Sequence, residues 1–166
     1  AALAWLARQE AADPEALAAE ALAVLDDPAI AAAFGPGSRA EAPLAGRVGD
    51  RAVNGIVDRL AVSAAEVLAL DFKSDRPAPI AAEAAPAPYV LQMALYRAVL
   101  QAIYPDRPVT ATVLWTETGA VQPLPDAALS DALATKNVYC TGVQWVNWRL
   151  SPSRRRDAIS SSSTWP

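Results

Sequence analysis

Lys73 is the first residue in this sequence whose type and place suggest chemistry. It is the only lysine among the first 134 residues, which otherwise draw their positive charge from eight arginines. It sits in the run "VLALDFKSDRP", Val67 to Pro77, two residues after Asp71. A compact ammonium with a readily shifted pKa suits a charged site in a way that a bulky, permanently charged guanidinium does not. If "AVNGIVDRLAV" and "EVLALDF" form a hairpin with a tight turn at Ser63 to Glu66, the turn centre falls between Ala64 and Ala65. Asp58 then lies directly across from Asp71, with Cβ atoms ~5 Å apart. Lys73, two residues on, shares that face, and a one-residue slip would split the arrangement.

Two carboxylates this close repel unless positive charge lies between them. A pair of oxygen donors at a strand end suits Mg²⁺, which takes one or two carboxylates, keeps several waters and binds substrate phosphate at its remaining positions. A lysine beside such a site orients the attacking water and stabilises charge on the phosphate. The same residues also fit a surface charge cluster of Asp58, Arg59, Asp71 and Lys73, worth little energetically. An Asp-x-Lys pattern alone means almost nothing. The matched Asp58 favours the metal, and so does the strand itself, apolar on both faces (Leu68, Leu70 and Phe72 against Val67 and Ala69). Gln92 and Tyr96, spaced i, i+4, share one face of the following helix and can contact a nucleotide or position Lys73. Tyr89, Gln101 and Tyr104 are polar or aromatic alternatives on that helix. The blander arrangement is a helix whose tyrosines pack on the sheet edge and whose glutamine is solvated.

The elements that must carry these residues punctuate clearly. Ala1 to Glu10 has helical propensity. Asp13-Pro14 reads as an N-cap with proline at the first helical position, opening a helix to about Leu25, and Asp27-Pro28 repeats the device for a shorter helix to Phe34. "GPGS", Gly35 to Ser38, ends it. Pro43 to Gly49, Ala52 to Val62 and Glu66 to Phe72 read as three strands of an antiparallel meander. A Pro/Ala loop, Pro77 to Pro88, precedes a strong helix, Tyr89 to Tyr104, which Pro105 stops. Pro108 to Thr116 is a β-branched strand, after which the signal fades through "PLPDAALSDALA". Strand, helix and strand form a right-handed crossover, so the last strand lies parallel to the Val67–Phe72 strand. The expected fold is α/β: a mixed central sheet, with helices able to cover both faces.

Composition bounds the chemistry. The chain has 166 residues, a net charge of -4, one cysteine (Cys140) and no histidine. Ser-His-Asp triads, histidine metal sites and internal disulfides are excluded, leaving carboxylates, lysine, tyrosine and hydroxyls. No apolar run approaches the ~18 residues that span a bilayer. Residues 1–134 hold nine basic and seventeen acidic side chains, so this body is a poor stand-alone nucleic-acid binder, and if it acts on nucleic acid something else must deliver the strand. Alanine supplies 38 of those residues but only 1 of the last 32. We therefore divide the chain into N-terminal helices at 1–34, a core at 35–134 and an atypical tail at 135–166, disordered or non-native. The chain lacks an initiator methionine, and we read it as part of a longer protein.

"GxxDRL" (Gly55 to Leu60), "VLALDFKS" (Val67 to Ser74) and "QMALYR" (Gln92 to Arg97), in this order, resemble the RecB-like branch of the PD-(D/E)XK nuclease superfamily. "GSRAEAPLAG", "DFKSDRPAP" and "AVLQAIYPDRPVTATVLWTE" look closer still to the C-terminal nuclease domain of the AddA-type helicase–nucleases, of the alphaproteobacterial kind. The resemblance covers about Phe34 to Leu133. It implies a restriction-endonuclease-like core and cleavage of DNA phosphodiesters with Mg²⁺ or Mn²⁺. In it, Asp58, Asp71 and the main-chain carbonyl of Phe72 ligate the metal, and Lys73 serves the attacking water and the scissile phosphate. Gln92 and Tyr96 match the family's Gln-x-x-x-Tyr element, and Glu41 matches an acidic position near the metal. It further implies DNA and an AddB-type subunit as partners, a cytoplasmic setting, a role in double-strand break repair, and ATP use only in a helicase part. No Gly-x-x-x-x-Gly-Lys-Ser/Thr loop of such a motor occurs in this chain. One feature departs from the pattern: the family's N-terminal histidine, which completes the metal site, has no counterpart. Two other readings stand beside the nuclease. One is a nuclease-like module that binds DNA or a subunit without cutting. The other is an alanine-rich structural domain whose charges coincide by chance, with Asp58 and Asp71 far apart.

Overall fold

Asp13 caps the second helix as its spacing predicts: its carboxylate accepts the N–H of Ala16 at 2.9 Å, and Pro14 takes the first helical position. The computed structural model describes residues 2–9 and 13–136. In chain order these form helices α1 (Ala2–Arg8), α2 (Pro14–Leu25) and α3 (Ala31–Phe34), the last preceded by a 3₁₀ turn at Pro28–Ile30. Strands β1 (Ser38–Val48), β2 (Arg51–Val62) and β3 (Val67–Lys73) follow, then α4 (Ala87–Ile103), β4 (Val109–Trp115), β5 (Ala120–Pro123) and α5 (Asp126–Lys136).

The sheet has the order β1-β2-β3-β4-β5. β1, β2 and β3 are an antiparallel meander, and β3 and β4 are parallel. The sheet is therefore mixed, as the crossover predicts. Two elements follow β4 where the sequence signal fades. β5 pairs antiparallel with β4 through a turn at Gly119, and α5 packs beside α4. β1 begins five residues earlier than expected. The composition change at Thr135 falls within α5, and residues 137–166 of the proposed tail lie outside the described residues.

Helices cover both faces. α4 and α5 bury Met93, Val99, Leu100 and Leu129 against Val57, Val67, Ala69, Val113 and Trp115. On the other face Ile30 and Ala33 close over Ala61, Leu68, Leu70 and Leu114. β3 is buried along Val67–Asp71 because it carries apolar side chains to both layers. Its charged end, Asp71 to Lys73, thus emerges from the middle of the sheet. No helix among the described residues is long and apolar enough to cross a membrane.

Candidate active site

The β2–β3 turn sets the register. Ser63 Oγ accepts the N–H groups of Ala65 and Glu66 at 3.1 and 2.9 Å, and the Ser63 N–H reaches the Glu66 carbonyl at 2.9 Å. Pairing then runs from Val62 with Val67 to Arg59 with Leu70. The next step places Asp58 opposite Asp71, as the turn predicts, but there the regular ladder stops. Asp58 Oδ2 instead accepts the backbone N–H of Phe72 at 2.8 Å.

A change of face explains this. Val53 and Val57 of β2 lie in the α4-side core, yet beyond Asp58 it is Leu60 and Val62 that pack on that side. Arg59 meanwhile stacks on Phe34, 4.8 Å from the ring centroid, and Ala61 joins the opposite core. The alternation slips by one residue at Asp58. β1 does the same at Glu41, which falls between the pairs Ala40–Arg59 and Ala42–Val57 and so sits opposite Asp58. Glu41 has φ 49°, the left-handed region where a non-glycine residue costs about 1–2 kcal/mol. Glu41, Asp58 and Asp71 therefore form a row across three adjacent strands, at the level where the ribbon changes face.

Asp71 is only 3% exposed. Its Oδ2 forms an ion pair with Lys73 Nζ and makes no hydrogen bond, while Oδ1 receives Gln92 Nε2 at 3.3 Å. Lys73 Nζ also donates to Gln92 Oε1 at 2.9 Å. Gln92 Nε2 reaches Tyr96 OH at 3.2 Å, and that hydroxyl donates to the Ile56 carbonyl at 3.2 Å. Burial pushes the Asp71 carboxyl above its ordinary value; Lys73 opposes the shift, and Asp58 and Glu41 reinforce it. Burial likewise raises Tyr96, so its hydroxyl stays neutral. Gln101 is exposed and Tyr104 packs under Arg107, so those two alternatives on α4 fall outside the cluster. Tyr89 falls inside it, with Lys73 Nζ 4.3 Å from its ring centroid.

The donor set fits a divalent cation of open coordination. The Lys73 carbonyl accepts Thr116 N and Oγ1, on the β4 side, at 2.9 and 3.3 Å. A strand alternates its hydrogen-bonding edge, so Phe72 turns its carbonyl toward β2, the side on which Asp58 takes its N–H. Asp58 Oδ1, Asp71 Oδ2 and the Phe72 carbonyl are thus hard oxygens at one strand end. Among the described residues no group of three or more acidic, histidine or cysteine side chains is placed to hold a metal ion together, so Glu41 does not join the two aspartates as a third ligand. Two carboxylates and a carbonyl suit Mg²⁺, which retains waters.

Asp58 has a structural and an electrostatic part that substitution separates. Asp58→Asn keeps an oxygen for the Phe72 N–H and is expected to hold stability within about 1 kcal/mol, whereas Asp58→Ala leaves that N–H unpaired and is expected to cost about 1.5–3 kcal/mol. Urea denaturation of the three proteins checks this, and equal losses would mean that the bond to Phe72 contributes nothing.

A five-stranded mixed sheet with helices on both faces, an aspartate closing the β2–β3 ladder and Asp-x-Lys at the end of a buried central strand are features of a restriction-endonuclease-like fold. The family model for the PD-(D/E)XK nuclease superfamily matches residues 1–153, and the chain belongs to that superfamily. Its members are typically nucleases and generally use divalent metal ions. No curated protein matches the chain.

Proposed function

We propose that this chain is the Mg²⁺-dependent deoxyribonuclease domain of an AddA-type helicase–nuclease that works with an AddB-type subunit in double-strand break repair, in the cytoplasm. The observation that carries the nuclease reading is the buried Asp71–Lys73–Gln92 cluster beside Asp58 in a chain of this superfamily. The finer assignment to AddA rests on the ordered stretches "GSRAEAPLAG", "DFKSDRPAP" and "AVLQAIYPDRPVTATVLWTE". In this reading Asp58, Asp71 and the Phe72 carbonyl hold the metal, with Glu41 beside them. Once bound, the metal supplies a Lewis acid for the phosphate oxygens. Lys73 directs its ammonium at the water and the scissile phosphate. Gln92 fixes that ammonium through Oε1, and Tyr96 fixes Gln92. The acidic body is consistent with a strand delivered by a motor rather than captured by charge.

A second reading, a module that binds DNA or a subunit without cutting, is favoured by one observation: the chain has no histidine to complete the site in the RecB-like manner. Calorimetric titration of Mg²⁺ and Mn²⁺ into the protein, Asp71→Ala and Asp58→Asn tests both, followed by cleavage of single- and double-stranded DNA. Binding by the protein and by neither variant, with cleavage, is the expected outcome. Binding without cleavage supports the second reading. No binding by a folded protein overturns the metal site.

A further inference from the structure

We propose that Tyr89, tied down by Asp75, is a positioning residue for the Lys73 ammonium. The inference rests on the nuclease reading of the site and adds to it a residue outside the Asp58, Asp71, Lys73, Gln92 and Tyr96 set.

A lysine side chain has four rotatable carbons and loses its aim easily. An ion pair with Asp71 Oδ2 and a hydrogen bond to Gln92 Oε1 hold the Lys73 ammonium. The face of the Tyr89 ring, 4.3 Å from Nζ at its centroid, supplies a third support, because an aromatic face attracts a cation. The ring is itself fixed at both ends. Its hydroxyl donates to Asp75, with Oδ1 at 2.9 Å and Oδ2 at 2.8 Å. Its body packs at 6.1 Å, tilted 52°, against Trp115, which is fully buried and donates Nε1 to Gln122 Oε1 at 2.8 Å. Asp75 lies two residues past Lys73, so the segment that presents the lysine also holds the ring beneath it. Lys73, Tyr89 and Asp75 close a small ring of contacts between the end of β3 and the first turn of α4. Burial and Asp75 push the Tyr89 hydroxyl up to about 12, which keeps it a donor to that carboxylate. Tyr96, by contrast, makes its hydrogen bonds to Gln92 and the Ile56 carbonyl.

The chain contains two lysines, Lys73 and Lys136, so Lys136→Arg leaves one to observe. With lysine carrying ¹³C at Cε, the methylene protons of Lys73 are expected well upfield of a free lysine in the full chain. In Tyr89→Leu they return to the free position, and in Tyr89→Phe and Asp75→Asn, which both cut or weaken the tie between hydroxyl and carboxylate, the displacement shrinks without vanishing. With Mg²⁺ and an oligonucleotide, Tyr89→Leu is expected to lower kcat about tenfold while KM, Mg²⁺ affinity and Tm change little, and Tyr89→Phe, which keeps the ring face but loses its tie to Asp75, to fall between Tyr89→Leu and the parent. Parallel losses in kcat, KM and Tm would mark a merely structural tyrosine and overturn the proposal. A protein that cuts DNA normally but whose Lys73 resonance ignores Tyr89→Leu overturns the clamp alone. A protein that neither binds Mg²⁺ nor cuts overturns the nuclease reading, while the lysine spectrum still decides the contact.

Discussion

Lys73→Met is expected to weaken the folded state by about 3–5 kcal/mol near neutral pH in metal-free buffer, and by much less near about pH 4. Methionine keeps an unbranched stem of similar length, with sulfur in place of one methylene, and removes the ammonium. Asp71 is then a buried carboxylate without its counter-charge, facing Asp58 and Glu41. Burial already holds its carboxyl above the ordinary 3.8, and Lys73 is the main influence drawing it down. Without Lys73 the folded-state value climbs further while the unfolded one does not move. The native state then binds this proton more tightly than the unfolded chain does. Stability is therefore lost as pH rises between the unfolded and folded values, and regained as pH falls through that window. The deficit relative to the parent is greatest above the raised value and closes in acid. Urea denaturation of both proteins at the two pH values reads it directly. An equal deficit at both would show that Lys73 stabilises through its stem rather than its charge. Cleavage at neutral pH is expected to fall about 10²–10³-fold as well, the usual loss when one pre-set electrostatic group is removed.

The same residues show how much of the site the sequence carries on its surface. The β2–β3 register is legible because Ser63 to Glu66 is a short turn whose centre fixes every opposing pair, and the observed pairs follow it. The crossover through α4 is legible from one apolar helix between two β-rich runs. The change of face at Glu41 and Asp58 is not. A glutamate at positive φ carries no local mark, since tertiary pairing imposes the strain. β5 escaped because it has only four residues and draws its stability from β4. A cue did exist: Gly119, at φ 69°, ends a "TETG" turn directly after an evident strand. α5 escaped because "DAALSDALA" has little apolar patterning to separate one face from another. By type and spacing Tyr89 is equal to Gln101 and Tyr104 on α4, and only the packing of that helix on β3 singles it out. The chemistry-bearing residues were thus readable by type and register. The contacts that aim them depend on three-dimensional closure.

Gly55→Ala is expected to damage the site with no chemical group removed. Gly55 lies on β2 opposite Leu44, beneath the Tyr96 ring. A Cβ there would overlap the ring edge at Cε1 and come within 2.5 Å of the hydroxyl and 2.8 Å of Cζ. Tyr96 is buried and its hydroxyl is held by the Ile56 carbonyl, so it cannot swing aside freely. Overpacking of this kind costs about 1–3 kcal/mol. The displaced hydroxyl releases Gln92, which in turn loosens its grip on Lys73 and Asp71. Gly46→Ala is the control. Its Cβ would meet Val99 Cγ1 at 2.6 Å, a comparable clash in the same core, but Val99 makes no hydrogen bond to the Gln92 network. Both variants are expected to lose similar stability, and only Gly55→Ala to lose cleavage per folded molecule. Adding Tyr96→Leu to Gly55→Ala removes the colliding ring atoms, so the pair should be less destabilising than the two single losses added, with a coupling of about 1–3 kcal/mol. Cleavage should stay low in the double variant, because Gln92 still lacks its tyrosine. Equal activity in Gly46→Ala and Gly55→Ala would sink the idea that Tyr96 transmits the position of β2 to Lys73.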